Sequence, residues 1–208
     1  MSPGATFDRV YLGLKEQLMS GRFAPGEHLE PVAIGDELHS SITPVRDALH
    51  RLVGERLVEA PRNDGFRVPF PTEAELRNLY GWNRQLAELG LRRPLSKMAS
   101  SLPTDTDAGA ESADIADMAA LLFRLIARRS ADPELEQAVE AVSDRLAAMR
   151  RVEARFFENA ADEIKSLCVL FSSGDIAGLR RNIIAYHKRR QRAVPDLLVA
   201  SRQHRDRA

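Results

Sequence analysis

The chain has 208 residues, with 30 Lys and Arg side chains against 30 Asp and Glu. Hydrophobic residues make up 44% and charged residues 29%, which is typical of a globular protein with one large domain or two small ones. The single cysteine, Cys168, excludes an internal disulfide and a cysteine zinc site. Because no apolar stretch approaches the roughly 20 residues of a membrane helix and the N-terminus lacks a signal-peptide pattern, we expect a cytoplasmic protein without membrane contact.

The first 70 residues carry the pattern of three short helices. Apolar residues recur at three- and four-residue steps over 7–19, which predicts a helix with Thr6 as its N-cap. Two glycines and a proline within 21–26 predict a turn. Proline and cap-type residues then predict a second helix over 31–38 and a third that starts just before Pro44 and runs to about residue 56.

A small hairpin is predicted after the third helix. Two short alternating runs, 57–60 and 66–69, enclose a segment that ends in Asn63, Asp64 and Gly65. Three helices and a hairpin outline a winged helix-turn-helix domain over 1–70. The outline alone is not specific, since many small domains combine helices with a hairpin.

The remainder, 71–208, is predicted to be an all-α antiparallel bundle, so the fold class is mainly α. Thr72 followed by acidic residues predicts a helix start, Pro94 predicts a break or a kink, and 100–112 predict a flexible connection. Further helices are predicted over about 113–129, 133–159, 160–172 and 175–201.

Four motifs stand in order in the first region: S-G-x-F-x-P-G-E-x-L from residue 20, S-I-T-P-V-R-D-A-L-x-R-L from 41, E-R-L-V from 55 and D-G-F-x-V from 64. In these motifs the region resembles the DNA-binding domain of the GntR family of bacterial transcription regulators. The helical remainder looks like the FCD effector-binding domain of the FadR-type branch. The resemblance implies a homodimeric, sequence-specific regulator, most simply a repressor, that binds an operator in double-stranded DNA and is controlled by a small-molecule effector.

A recognition helix presents free backbone N–H groups and first-turn side chains to DNA. Arg46 is the best candidate for a base contact, because a guanidinium can grip guanine with two hydrogen bonds. For Thr43, capping its own helix and contacting a phosphate both remain open, with capping favoured. The expected DNA-binding residues are Ser41, Thr43, Arg46 and His50 on the helix, and Arg62, Asn63 and Gly65 at the wing tip.

Two features depart from the family pattern. Ile42 stands where the family commonly has an arginine, and Val32 lies near the place of another basic residue. Residues 1–70 also carry eight basic and ten acidic side chains, so we expect weaker non-specific binding and a shallower salt dependence than is usual. Either the operator is unusual or the affinity depends on dimerisation.

Many FCD domains hold a metal with an aspartate and three histidines. The corresponding positions here are Ala119, Phe123, Ile164 and His187, so we expect neither a metal nor another cofactor. The apolar replacements imply a drier pocket for a small apolar or carboxylate-bearing effector, or a pocket filled by Phe123 and Ile164. The expected effector-contacting residues are Arg84, Phe123, Ile164, Tyr186 and His187, with Trp82 facing the same cavity.

The sequence also bears on two other classes of protein, an interaction module and an enzyme. A protein-interaction module with a degenerate sensor pocket and weak DNA binding is the alternative function, favoured by Ile42 and the missing metal ligands and opposed by the intact T-P-V-R motif. An enzyme is not expected, because no nucleophile with a paired base, phosphate loop or carboxylate cluster stands out.

Overall fold

The computed structural model describes residues 3–92 and 115–205. These residues form two compact units: residues up to Phe70 together with the end of the last helix from Ser201, and residues 71–200. Within the described ranges, no helix combines enough length and apolarity to cross a membrane. The elements are α1 Pro3–Met19, β1 His28–Leu29, α2 Pro31–Glu37, α3 Ile42–Gly54, β2 Phe66–Arg67, α4 Glu73–Arg92, α5 Ile115–Arg128, α6 Pro133–Phe156, α7 Ala160–Ser173 and α8 Ile176–Arg205.

The core of the first unit lies between α1 and α3. Leu14 of α1 and Val45 and Leu49 of α3 are fully buried there, as the helical spacing predicted. Helix α1 begins at Pro3, so Thr6 lies inside the helix and its predicted role as N-cap is wrong. The reason is that proline with its fixed φ suits the first turn of a helix, which extends the helix upstream of the apolar stripe.

A side chain of α1 is hydrogen-bonded to the turn between α2 and α3. Arg9 donates from Nη1 to the Leu38 carbonyl at 2.6 Å and from Nη2 to the His39 carbonyl at 3.2 Å. His39 has a φ of 49°, the left-handed geometry that ends helices. Two side-chain hydrogen bonds across 29 and 30 residues therefore fix the start of α3.

Helix α3 has Ser41 as its N-cap, with a ψ of 164° and no capping hydrogen bond from the side chain. Thr43 is the second residue of the helix and is exposed. The capping role favoured for Thr43 is therefore wrong, because the helix begins two residues earlier than that role requires.

The predicted hairpin is reduced to a single bridge, in which Glu59 and Arg67 exchange backbone hydrogen bonds of 2.8 and 2.9 Å. The other edge of β2 pairs antiparallel with β1, with His28 opposite Arg67 and Leu29 opposite Phe66. Strand β1 was not predicted, because two residues are too short to show an alternating pattern.

The second unit has its helices where they were predicted, with ends that differ by a few residues. The Thr72 hydroxyl accepts from the Glu75 N–H at 3.3 Å, and the Thr72 N–H donates to the Glu75 carboxylate at 2.8 Å, which confirms the predicted cap. Asp132 caps α6 through the N–H groups of its first turn. Helix α6 ends at Phe156 rather than near residue 159. The predictions for Pro94 and for 100–112 lie outside the described residues.

Candidate nucleic-acid interface and buried polar cluster

Helix α3 separates an apolar face from a polar one. Val45, Leu49 and Leu52 are fully buried, whereas Arg46 and His50 are exposed together with Ser41 and Thr43. Because Ser41 provides no side-chain cap, the backbone N–H groups at the start of α3 are available to an outside acceptor. The exposed end of α3 therefore offers donors and a positive helix dipole to an anion such as a phosphate.

Two arginines of α3 have different surroundings. Arg46 is exposed and has no hydrogen bond or ion pair within the described part of the chain. Arg51 stacks on the Tyr11 ring, 3.9 Å from the centroid, and pairs with Glu55 at 3.4 Å. Arg51 thus joins α3 to α1, while Arg46 retains five unused donors.

His50 connects α3 to the small sheet. Its ring meets the Phe66 ring edge-on, with centroids 5.0 Å apart and an interplanar angle of 75°. Phe66 is buried and His50 is exposed, so the imidazole covers the outer side of the phenyl ring. This contact packs the exposed face of α3 against strand β2.

The wing tip is a tight polar turn. Asn63 and Gly65 both adopt left-handed backbone geometry, with φ values of 62° and 66°, and both are exposed. Arg62 is exposed and unpaired among the described residues, whereas Arg67 pairs with Glu59 at 2.9 Å and with Asp64 at 3.6 Å. Only Arg62 of these two arginines keeps its charge free for a ligand.

A buried ion cluster lies in the second unit. Arg190 is 1% exposed and donates from Nε to Glu153 at 2.6 Å and from Nη1 to Glu163 at 2.8 Å. The Tyr80 hydroxyl donates to the other oxygen of Glu153, and burial together with that carboxylate holds the pKa of Tyr80 well above its usual value. Burial also raises the pKa of Tyr186 to about 12. The cluster is therefore a fixed internal network.

His187 is a neutral part of the same interior. Burial lowers its pKa to about 3, with a further contribution from Arg150. Nδ1 donates to the Ile183 carbonyl at 2.8 Å, so Nε2 carries no proton, and it lies 3.2 Å from Oδ1 of Asn83, which is itself an acceptor. Exchange of the oxygen and nitrogen of that amide lets Asn83 Nδ2, which has no partner among the described residues, donate to Nε2. Among the described residues, no three His, Cys, Asp or Glu side chains come together as a metal site.

The residues predicted to contact an effector are only partly brought together. Phe123, Tyr186 and His187 are buried with ring centroids 5.0 to 5.8 Å apart. Ile164 and Tyr186 line a small cavity of about 10 Å³, which has room for about one water molecule. Arg84 is not among the lining residues of that cavity and lies 3.5 Å from Glu88.

Trp82 does not face this cavity, so that expectation is wrong. Its side chain is 48% exposed and is not among the lining residues of the cavity. On α4 it lies at the edge of the buried stripe, one turn from Leu79 and Leu86, where solvent reaches the indole.

Arg150 of α6 was missed by the sequence reasoning. It is 3% exposed, lines the small cavity, and lies with its guanidinium 5.3 Å from the Phe123 centroid. Its Nη1 has no acceptor, and no carboxylate pairs with it in the described part of the chain. No sequence signal separates Arg150 from the exposed arginines around it, because its burial depends on α5 and α8.

The family model for bacterial regulatory proteins of the gntR family matches residues 6–68. The HTH-type transcriptional repressor GlaR of Escherichia coli (strain K12) is 28% identical over 127 residues, which are 61% of this chain and 54% of that protein. The HTH-type transcriptional regulator McbR of the same organism is 36% identical over 92 residues, 44% of this chain and 40% of that protein. The matched stretches thus span about half, or less, of the curated relatives' length.

A solved structure of a GntR-type protein from Rhodococcus sp. RHA1 has a TM-score of 0.72 at 18% identity. It covers 92% of this chain, and this chain covers 98% of it, which shows a common fold through both units. The curated relatives are named as regulators of transcription and not as enzymes. By its motifs and by the match over residues 6–68, the first region is similar to the gntR family, and the solved structure shows that the fold is shared through both units.

Proposed function

We propose that this chain is a cytoplasmic, sequence-specific DNA-binding transcription regulator that acts as a repressor. Residues 1–70 are the DNA-binding domain, and residues 71–208 are an FCD-like domain for effector binding and dimerisation. The observation that carries the proposal is the free guanidinium of Arg46, beside uncapped N–H groups at the start of α3.

Each exposed group has a role in this proposal. Ser41, Thr43 and the first N–H groups of α3 contact phosphates, and Arg46 reads a guanine in the major groove. Arg62, Asn63 and Gly65 approach the minor groove, while His50 positions the wing through Phe66. Two subunits present two copies of α3 to half-sites about one helical turn apart, which offsets the net acidic charge of residues 1–70.

The effector proposal rests on Arg150. A buried guanidinium without a counter-charge is costly, so an anionic group placed beside it gains more than it would on the surface. The effector is therefore a small carboxylate-bearing compound with an apolar body that contacts Phe123 and Ile164. The cavity holds about one water molecule, so entry of the effector must move α5 or α8. That movement couples effector binding to the spacing of the DNA-binding domains of the two subunits.

Fluorescence anisotropy tests the DNA-binding proposal. The full chain is titrated with DNA from its own upstream region and with a shuffled duplex at several salt concentrations. We expect tighter binding to the native duplex and, for Arg46→Ala, a loss of that preference by about tenfold or more. Arg181→Ala, which removes an exposed arginine of α8 that has no ion pair among the described residues, is the matched control and keeps the preference. Equal binding of both duplexes by the natural chain would overturn the proposal.

The second candidate is a protein-interaction module with weak DNA binding. The small size of the cavity favours it, since about 10 Å³ beside Ile164 and Tyr186 leaves no space for an effector. This candidate predicts salt-resistant binding to a protein partner without preference for any duplex. The same titration therefore separates the two candidates.

A further inference from the structure

Two large apolar side chains are exposed where α2 and α3 begin. Ile42 is the first residue of α3 and is 44% exposed, and Val32 near the start of α2 is 62% exposed. The other exposed side chains around the start of α3 are polar or charged. An isolated apolar side chain on a protein surface is common, so exposure alone says little about Ile42.

The position of Ile42 on α3 is more informative than its exposure. Ile42 and Arg46 are one helical turn apart, so their side chains lie on the same side of the helix. If Arg46 reaches a base edge, Ile42 meets the neighbouring base step or the adjoining backbone. A β-branched hydrocarbon has no donor or acceptor and has few rotamers to lose.

Among the groups that line the major groove, one is apolar: the C5-methyl of thymine. Contact between Ile42 and any other base edge would remove water from a polar atom without replacing its hydrogen bond. We propose that Ile42 is a specificity-determining residue that recognises a thymine methyl group next to the base read by Arg46. This inference rests on the proposed DNA-binding function.

Uracil substitution tests the inference, since deoxyuridine differs from thymidine only by the lost methyl. A tight duplex is selected from a random library with the full chain, and each thymine is replaced singly by uracil. At one position per half-site we expect affinity to fall about fourfold, the effect of removing one methyl-sized group from an apolar contact. In Ile42→Ala, the natural duplex is weakened similarly, and uracil at that position has no further effect.

Leu12→Ala is the matched control, because Leu12 is also an exposed apolar residue but lies on α1, where it is 61% exposed against 44% for Ile42. It keeps the full response to uracil. Specific binding in which no thymine methyl matters, or in which Ile42→Ala keeps the same response, overturns the role of Ile42 and leaves the regulator intact. Failure to select any preferred duplex overturns both proposals together.

Discussion

Arg77 of α4 and Gln191 of α8 exchange two hydrogen bonds. The Arg77 Nε donates to the Gln191 backbone carbonyl at 3.3 Å, and the Gln191 amide donates to the Arg77 carbonyl at 3.1 Å. Pro195 explains why the Gln191 carbonyl is available, since proline four residues later has no N–H to donate. Gly81 leaves room for the amide, because a Cβ there would lie 3.2 Å from it.

The contribution of Arg77 to stability should depend on Pro195. Arg77→Leu should destabilise the protein by about 1 kcal/mol, because it leaves the Gln191 carbonyl without a donor. In a Pro195→Ala background the helix supplies that donor itself, so the cost of Arg77→Leu should fall. Urea unfolding of the four proteins gives the coupling. Equal costs in both backgrounds would show that Pro195 does not create the need for Arg77.

The buried cluster predicts a large effect from removing one charge. Arg190→Met leaves Glu153 buried without its cation, and we expect a loss of about 3–5 kcal/mol in the free energy of unfolding. Arg22→Ala breaks the exposed pair with Glu37 and should cost about 0–1 kcal/mol. Denaturant unfolding compares the two, and similar losses would contradict the assignment of Arg190 as a buried ion.

His187 predicts a pH dependence of stability. Its pKa is about 3 in the folded chain and about 6.5 when unfolded, so the unfolded state binds more protons between these values. Its contribution to stability is therefore lost as the pH falls below about 6.5, by at most about 1.4 kcal/mol per pH unit. His187→Gln should flatten this part of the profile relative to that of the natural chain. Parallel profiles for the variant and the natural chain would refute this explanation.

The turn before α3 predicts a specific effect of glycine replacement. A Cβ on Gly35 would lie 2.9 Å from the Ser40 carbonyl oxygen, so Gly35→Ala must shift the backbone that starts α3. We expect a lower melting temperature and weaker binding to the preferred duplex. Gly54→Ala, whose Cβ meets nothing within 4 Å, should preserve both properties. Equal melting temperatures for the two variants would argue against a close approach at Gly35.

Ala131 predicts a stabilising change. Its φ of 50° is left-handed, which costs a residue with a Cβ roughly 1–2 kcal/mol. Ala131→Gly should raise the free energy of unfolding by about 1 kcal/mol, while Ala141→Gly inside α6 should lower it by about as much. The sign of the two changes in urea unfolding is the measurement. A loss of stability in both would disprove strain at Ala131.

A structural feature was predictable from the sequence when the residues that stabilise it are close together along the chain. The Thr72 cap and the apolar stripe of α3 depend on residues a few positions apart, and both were predictable. The hydrogen bond from Arg9 to the Leu38 carbonyl joins residues 29 positions apart, and the bond from Arg77 to the Gln191 carbonyl joins residues 114 positions apart. No local pattern encodes such contacts.

The candidate sites divide in the same way. Arg46 is proposed as a base-contacting residue from a local motif, whereas nothing local to Arg150 marks it as buried, because α5 and α8 cover it. His50 was expected to face DNA, and only the folded chain shows that its ring rests on Phe66. The four positions that correspond to metal ligands were identified from the family resemblance. The small size of the cavity at Ile164 depends on side-chain packing, which the spacing of residues in the sequence does not show.

The pairing of Arg67 on both sides has a consequence for the heat of DNA binding. Strand β2 is held by β1 on one edge and by Glu59 on the other, so the wing is ordered before any duplex arrives. In the proposed complex with DNA, no folding step then accompanies docking of the wing. Titration calorimetry should give a negative heat-capacity change of binding that the area of the protein–DNA interface explains by itself. A segment that folds as it binds would make this heat-capacity change more negative.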